Sequence, residues 1–315
     1  MSYNKLIASI SGGDKMLKRK IEKALLQWKN SPDHNPLIIK GCRQCGKTFI
    51  TESFAKENYK HTVYLNFFEN PEYKEIFAGS LDIDNLTMLI TAFLGNKAQF
   101  KPHETVIILD EIQSCPEART ALKFFKLDGR YDVIATGSLL GIKGYNQTPA
   151  SIPVGYETVM EMYPLDFEEF IWANGINETI IDSLQSCLIN EKPVPSALHN
   201  RMQELLLQYA VVGGMPAAVN AFIETKQLNL VLSIQRNIIA SYEDDMVKYA
   251  ENKDKPLIKA CFQSIPKQLS KENKKFQYSL IKKGSTAARF AGSLQWVEDA
   301  GIIKRCYNLS LPELP

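Results

Sequence analysis

The chain has 315 residues, with 37 Lys/Arg against 35 Asp/Glu for a net charge of +2, and it is 45% hydrophobic and 23% charged. That balance excludes a mostly disordered chain, a collagen-like repeat and a histone-like basic protein. The length fits roughly two domains at about 150 residues each and leaves ample chain for a core. No apolar run approaches the roughly 20 residues a membrane helix needs, and residues 1–13 lack the basic-then-apolar pattern of a secretory signal. Cys42, Cys45, Cys115, Cys187, Cys261 and Cys306 are too sparse for a disulfide scaffold. The expectation is a cytoplasmic protein with reduced thiols and no membrane partner.

Residues 16–30 place Leu17, Ile21, Leu25 and Trp28 at helical spacing. Ser31-Pro32-Asp33 then breaks the pattern. Residues 37–40 are a short apolar run ending at Gly41, which reads as a buried strand. Residues 48–58 read as a helix, 61–68 as a strand and 81–93 as a helix. Residues 104–110 (ETVIILD) give the strongest buried-strand signal in the chain. Residues 116–127 read as a helix with Pro116 suited to its first turn, and 131–135 and 156–163 as strands. This alternation predicts an α/β fold, a parallel sheet with helices on both faces. Past Pro164 the pattern turns helical, over 166–175, 179–188, 196–209 and 228–249, with Gly213-Gly214-Met215-Pro216 as an interruption. Residues 257–270 and 286–300 read as helices, the second closed by Gly301. Residues 302–309 read as a strand, which makes the end of the chain a partial winged-helix-like segment.

The chemistry concentrates in two short motifs. Gly41-Cys42-Arg43-Gln44-Cys45-Gly46-Lys47-Thr48 matches G-x-x-x-x-G-K-[ST] in full. The glycines let the backbone curl its N–H groups around phosphate oxygens. Lys47 would reach the β- and γ-phosphates, Thr48 would hold Mg2+ by its hydroxyl, and the following helix aims its positive end at the same phosphates. Val106 to Glu111 is an apolar strand ending in two carboxylates. Asp110 is placed to hold the Mg2+ and Glu111 to polarise an attacking water. Residues 133–138 end the next strand; Ser138 is the preferred γ-phosphate sensor, with Thr136 the alternative. Cys42 and Cys45 form a C-x-x-C pair, but no second Cys pair or Cys/His cluster completes a zinc site. They are the variable positions of the loop. The strand at 61–68 lies in sequence between the two motif strands, as in ATPases where a further strand separates them in the sheet.

GCRQCGKT, IILDEIQ, ATGSLL and MYPLDFEEF, in that order, resemble a prokaryotic group of AAA+-superfamily ATPases with a C-terminal region of uncertain role. VGGMPAAV, IPKQLSKENKKFQY and LQWVEDAGIIKRCYN resemble it too, so the likeness spans nearly the whole chain. The resemblance implies ATP and Mg2+ as ligands, Lys47 and Thr48 on phosphate and metal, Asp110 on the metal, Glu111 in catalysis and Ser138 in sensing. It implies a P-loop ATPase core with an N-terminal helix over 1–163, a helical lid over 164–255 and the winged-helix-like region over 256–315. It also implies subunit contacts, and with them a homo-oligomer and an arginine finger. Gly155-Tyr156 stands where relatives carry Gly followed by a basic residue, which leaves Arg119, Arg130, Arg236 and Arg289 as candidates. Relatives continue past residue 309, so the chain reads as a truncated member whose last fifty residues are less stable than its core.

Two functions compete on these residues. One is an ATPase that couples hydrolysis to a conformational change. The other is a nucleotide-gated interaction module with little turnover. From 266 to 305 the chain carries nine Lys/Arg against three Asp/Glu. A DNA-directed output would place Lys267, Lys271, Lys274, Lys275, Lys282 and Lys283 on phosphates; a solvated basic face is the competing reading.

Overall fold

A computed structural model describes residues 17–138, 155–250 and 253–307, apart from 274, 283 and 285. Three apolar runs form the middle of its sheet: β1 (Leu37–Gly41), β3 (Thr105–Asp110) and β4 (Asp132–Ser138). They bury nearly every side chain, as strands covered on both faces must. With β2 (His61–Asn66) and β5 (Thr158–Met162) the order is β2-β3-β4-β1-β5. The β2–β3, β3–β4 and β4–β1 pairs are all parallel. The strand that separates β1 from β3 is therefore β4; β2, which precedes β3 in sequence, lies at the edge. The register sets Gly41 beside Ser138 and Leu109 beside Ala135. The C-terminal ends of β1, β3 and β4 thus open onto one sheet edge, where open α/β sheets bind their ligands.

The chain packs as two units, each discontinuous in sequence. One holds the described residues of Pro36–Cys42, His61–Met160 and Ser241–Pro315. In it, Ile38, Val63, Ile107 and Leu109 of the strands pack with Leu86 and Ile90 of α3 (Ile83–Leu94) and Leu122 and Phe125 of α4 (Pro116–Asp128). Asp82 caps α3 by accepting from the N–H groups of Asp84 and Asn85. The same unit holds α10 (Lys255–Leu269) and α11 (Ala287–Asp299), which bury Cys261, Phe290 and Leu294 together.

The other unit holds the described residues of Met1–Asn35, Arg43–Lys60 and Glu161–Ala240. It contains α1 (Lys20–Asn30), α2 (Lys47–Asn58), α5 (Phe167–Ala173), α6 (Glu178–Ile189), α7 (Ser196–Val212) and α8 (Pro216–Thr225). It also takes the first part of α9 (Leu228–Tyr249). Phe170, Leu205, Val219 and Phe222 form its core. The helix α8 is an addition to the sequence reading: the Gly-Gly-Met-Pro break is the entry to a further helix, with Pro216 in its first turn.

Two expectations need correction. The helix expected over 16–30 starts at Lys20, because Arg19 is extended and its N–H is held by Glu22 Oε1 at 3.0 Å. More consequentially, the strand expected over 302–309 is absent from 302–307, and 308–309 lie outside the described residues. No wing forms among the described residues. After α11, Gly301 N–H donates to Glu298 O and Ile302 N–H to Val297 O, a helix-ending turn that folds the chain back. Arg305 is then pinned to Glu298, its Nε 2.7 Å from Oε2, and a lone strand has no partner to stabilise it.

Candidate nucleotide site

Residues 42–46 join β1 to α2. Two left-handed positions curl this loop, Gln44 at φ 61° and Gly46 at φ 97°. The second is beyond the range a side chain tolerates without strain, so glycine is required there. Gly46 brings no capping side chain to the first turn of α2, where backbone N–H groups and the helix dipole favour an anion. Lys47 and Thr48 follow, both half-buried; Arg43 and Gln44 are exposed; Gly41, Cys42 and Cys45 are buried. Both loop cysteines are free thiols. Among the described residues no group of three His, Cys, Asp or Glu could hold a metal ion. Mg2+ held by one carboxylate, one hydroxyl and substrate phosphates needs no such group.

The loop is braced from outside by side chains remote in sequence. Arg19, 7% exposed, donates from Nη1 to Cys45 O at 3.1 Å and from Nη2 to Tyr163 O at 2.6 Å. Its Nε lies 3.2 Å from Glu169 Oε2, an ion-pair distance without hydrogen-bond alignment. Glu169 also accepts from the N–H groups of Lys20 (2.7 Å) and Asp166 (3.1 Å). Asp166 in turn accepts from Glu169 N–H, so the pair forms a capping box that starts α5. Burial works to raise the Asp166 carboxyl, but Lys20 Nζ at 2.6 Å and the Glu169 N–H outweigh it and hold it below its ordinary range. MYPLDFEEF is thus the clasp that carries Arg19. VGGMPAAV fits against it: Leu165 N–H donates to Gly214 O at 2.7 Å, and a Cβ on Gly214 would lie 2.0 Å from Leu165 O.

Beside Gly46 opens a cavity of about 250 Å3. Its walls are apolar (Leu17, Phe49, Ile50, Met162, Pro216), with Arg19, Gln44 and Asn220 as polar points. That is somewhat below the roughly 300 Å3 at which whole-ligand pockets begin.

On the sheet, Asp110 ends β3 with 3% of its surface exposed. Its carboxylate accepts from Tyr64 OH at 2.7 Å, Asn66 Nδ2 at 3.3 Å, Thr136 Oγ1 and the Glu111 N–H at 3.1 Å. Tyr64 and Asn66 come from β2 and Thr136 from β4, so both neighbouring strands orient it. Glu111 is left-handed (φ 56°), a conformation that costs a non-glycine residue about 1–3 kcal/mol and concentrates at functional sites. Its carboxylate accepts from the amide of Gln113. Ser138 lies half-buried at the same sheet edge beside Gly41, whereas Thr136 is fully buried and spent on Asp110.

Sequence reasoning missed Arg19, Glu169, Asn220, Tyr64 and Asn66. Only Glu169 had a local signal, the D-x-x-E spacing of a helix start. Of the arginine candidates, Arg119 is bound bidentately by Glu157 and Arg130 by Asp84 and Asp128. Arg236 and Arg289 are exposed.

A parallel sheet, a phosphate loop leaving β1 and an acidic end on β3 define a P-loop NTPase-like fold. The family model of an AAA domain matches residues 33–171, and a model described as a domain of unknown function matches 203–314. Residues 33–171 thus match an AAA domain, and the fold is P-loop NTPase-like. It is similar to the structure of a Walker-type ATPase of Pyrococcus abyssi, at 15% identity and TM-score 0.53, covering 90% of each chain. It is also similar to the Aeropyrum pernix ORC2 protein, solved in ADPNP–ADP complexes, at 12% identity and TM-score 0.51, covering 92% of this chain and 88% of that one. No curated protein matches the sequence. Among the described residues no helix is long and apolar enough to cross a membrane.

Proposed function

We propose that the protein binds ATP with Mg2+ at residues 41–48 and hydrolyses the γ-phosphate to drive a conformational change. One observation carries this reading: a complete phosphate loop leaves β1 at the sheet edge where β3 ends in Asp110-Glu111. Gly41 to Gly46 cradle the phosphates with backbone N–H groups, and Lys47 holds the β- and γ-phosphates. By their motif positions Thr48 and Asp110 would hold the metal, whose charge would offset that of the phosphates. Asp110, fixed by four donors, acts as a pre-set carboxylate. Glu111 accepts the proton of the attacking water, and Ser138 senses the γ-phosphate. The cavity beside Gly46 takes the base and ribose, with Arg19, Gln44 and Asn220 as its polar points.

Arg119 and Arg130 are committed to ion pairs. The arginine that completes the site is accordingly Arg236 or Arg289 of a second copy, which makes the protein a homo-oligomer in its active form. The output is DNA-directed if the basic segment takes part: Lys267, Lys275 and Lys282 are exposed and Lys271 is half-buried. Lys274 and Lys283 lie outside the described residues.

The second reading, a nucleotide-gated module with little turnover, draws on the Gln113 amide that occupies the Glu111 carboxylate. ATP hydrolysis and ATP binding by the protein and by Glu111→Gln, with and without duplex DNA, separate the readings. For an ATPase, the variant loses turnover by about 10²–10⁴-fold while binding survives. Binding without turnover in either protein supports the gated module. Stimulation by DNA supports the basic segment as the output surface.

A further inference from the structure

Arg19 stands outside every recognised motif, yet it is among the most buried charged residues of the chain. Its guanidinium meets three groups from two remote segments: Cys45 O in the phosphate loop, and Tyr163 O and Glu169 at the entry to α5. The Glu169 side chain is equally buried, with both partners' side chains 6% exposed. The paired charge is balanced, so the arrangement adds little field of its own and instead adds geometry.

That geometry acts on one peptide unit. Cys45 C=O and Gly46 N–H belong to the same planar trans peptide and point in opposite directions. A donor that fixes the carbonyl from outside the loop fixes the N–H toward its inside. The bond is charge-assisted, hence stronger than a neutral one. The same Cys45 residue is held a second time, by its Sγ donating to Met162 O at 3.6 Å. Resting on the phosphate-loop reading above, we propose that Arg19 is a positioning residue of the nucleotide site. It holds the Cys45–Gly46 peptide in the phosphate-binding orientation, anchored through Tyr163 and Glu169. Its loss then weakens capture of the polyphosphate and leaves turnover of bound nucleotide in place. By reciprocity, a bound nucleotide tightens the Arg19 clasp.

Arg19→Lys keeps the charge opposite Glu169 but cannot present a planar fork to several acceptors. ATP and ADP titrations, steady-state turnover and thermal melting of the protein and this variant form the test. The affinity for both nucleotides is expected to fall about tenfold, the scale of one charge-assisted hydrogen bond, with kcat within about threefold of the parent. An unchanged affinity, or a fall in kcat at unchanged affinity, overturns the inference even if melting shifts, because a merely structural pair would move stability alone. If the variant does not fold, amide exchange on the unaltered protein decides. The Lys20 N–H, bonded to Glu169 Oε1, is expected to exchange more slowly when ADP is added; no change overturns the proposal. Absence of ATP binding by the unaltered protein overturns the phosphate-loop reading itself, and this inference with it. Equal binding by parent and variant removes this inference alone.

Discussion

The phosphate loop and the acidic end of β3 are built in opposite ways. The loop offers backbone groups, and its brace comes from Arg19 before α1 and from Tyr163 and Glu169 before and within α5. The end of β3 offers side chains, and its brace comes from Tyr64, Asn66 and Thr136 on the two adjoining strands. A backbone cradle has nothing but its own curl to define it, so distant segments must hold it. A carboxylate on a central strand is surrounded by donors as soon as the sheet forms. The loop is therefore expected to be vulnerable to changes far from it, and the acidic end only to changes next door.

The largest effect that separates them is expected at Gly214. Gly214→Ala would drive a Cβ into Leu165 O and is expected to destabilise the fold by about 3 kcal/mol. Thermal melting reads that loss, and weakened ATP binding at a temperature where the variant is still folded would show that the brace reaches the loop. A variant as stable as its parent would break the comparison at its first link. Lys47→Ala tests the loop from within: ATP affinity is expected to drop about hundredfold, with melting of the unliganded protein unchanged.

Thr136→Val and Tyr64→Phe each remove one donor from Asp110 while keeping shape. Each is expected to lower turnover about tenfold and to leave nucleotide affinity within about twofold, as a loss of about 1–2 kcal/mol in orienting the carboxylate predicts. Equal losses of affinity in these variants and in Lys47→Ala would erase the distinction between the two regions.

The smallest effect is electrostatic. The Asp166 carboxyl is held below the ordinary carboxylate range despite burial that works the other way, because Lys20 and the Glu169 N–H favour its charged form. A lowered folded value contributes stability that is present above the unfolded value and is lost as pH falls through the folded one. Melting followed from pH 5 downward is expected to fall less steeply in Lys20→Met than in the parent. The difference is slight because both side chains are about half exposed.

Much of this was legible in the residues. The G-x-x-x-x-G-K-T octamer and the apolar run ending in Asp110-Glu111 are contiguous, and contiguous chemistry is carried by the chain in any fold that places it at a strand end. The strand at 104–110 and the helix at 116–127 stood out because their apolar patterns are continuous. The strand expected over 302–309 is absent from the described part, 302–307, because a β-rich run needs a neighbour, and the turn at Gly301 with the Arg305–Glu298 pair offers none. The helix α8 was hidden behind Gly213-Gly214, which reads as a break when the close approach to Leu165 is not in view.

The sequence by itself determined the spacing on which the proposed phosphate site rests, because phosphate chemistry needs a fixed spacing of Gly, Lys and Thr along one stretch of backbone. Only the tertiary structure decided how that stretch is held. Arg19 and Glu169 are 150 positions apart, and no periodicity or spacing links two residues whose relation is created by the packing of α1 against the entry to α5. It likewise took the order of the strands to make β4 the separator of β1 and β3, and Thr136 the donor to Asp110.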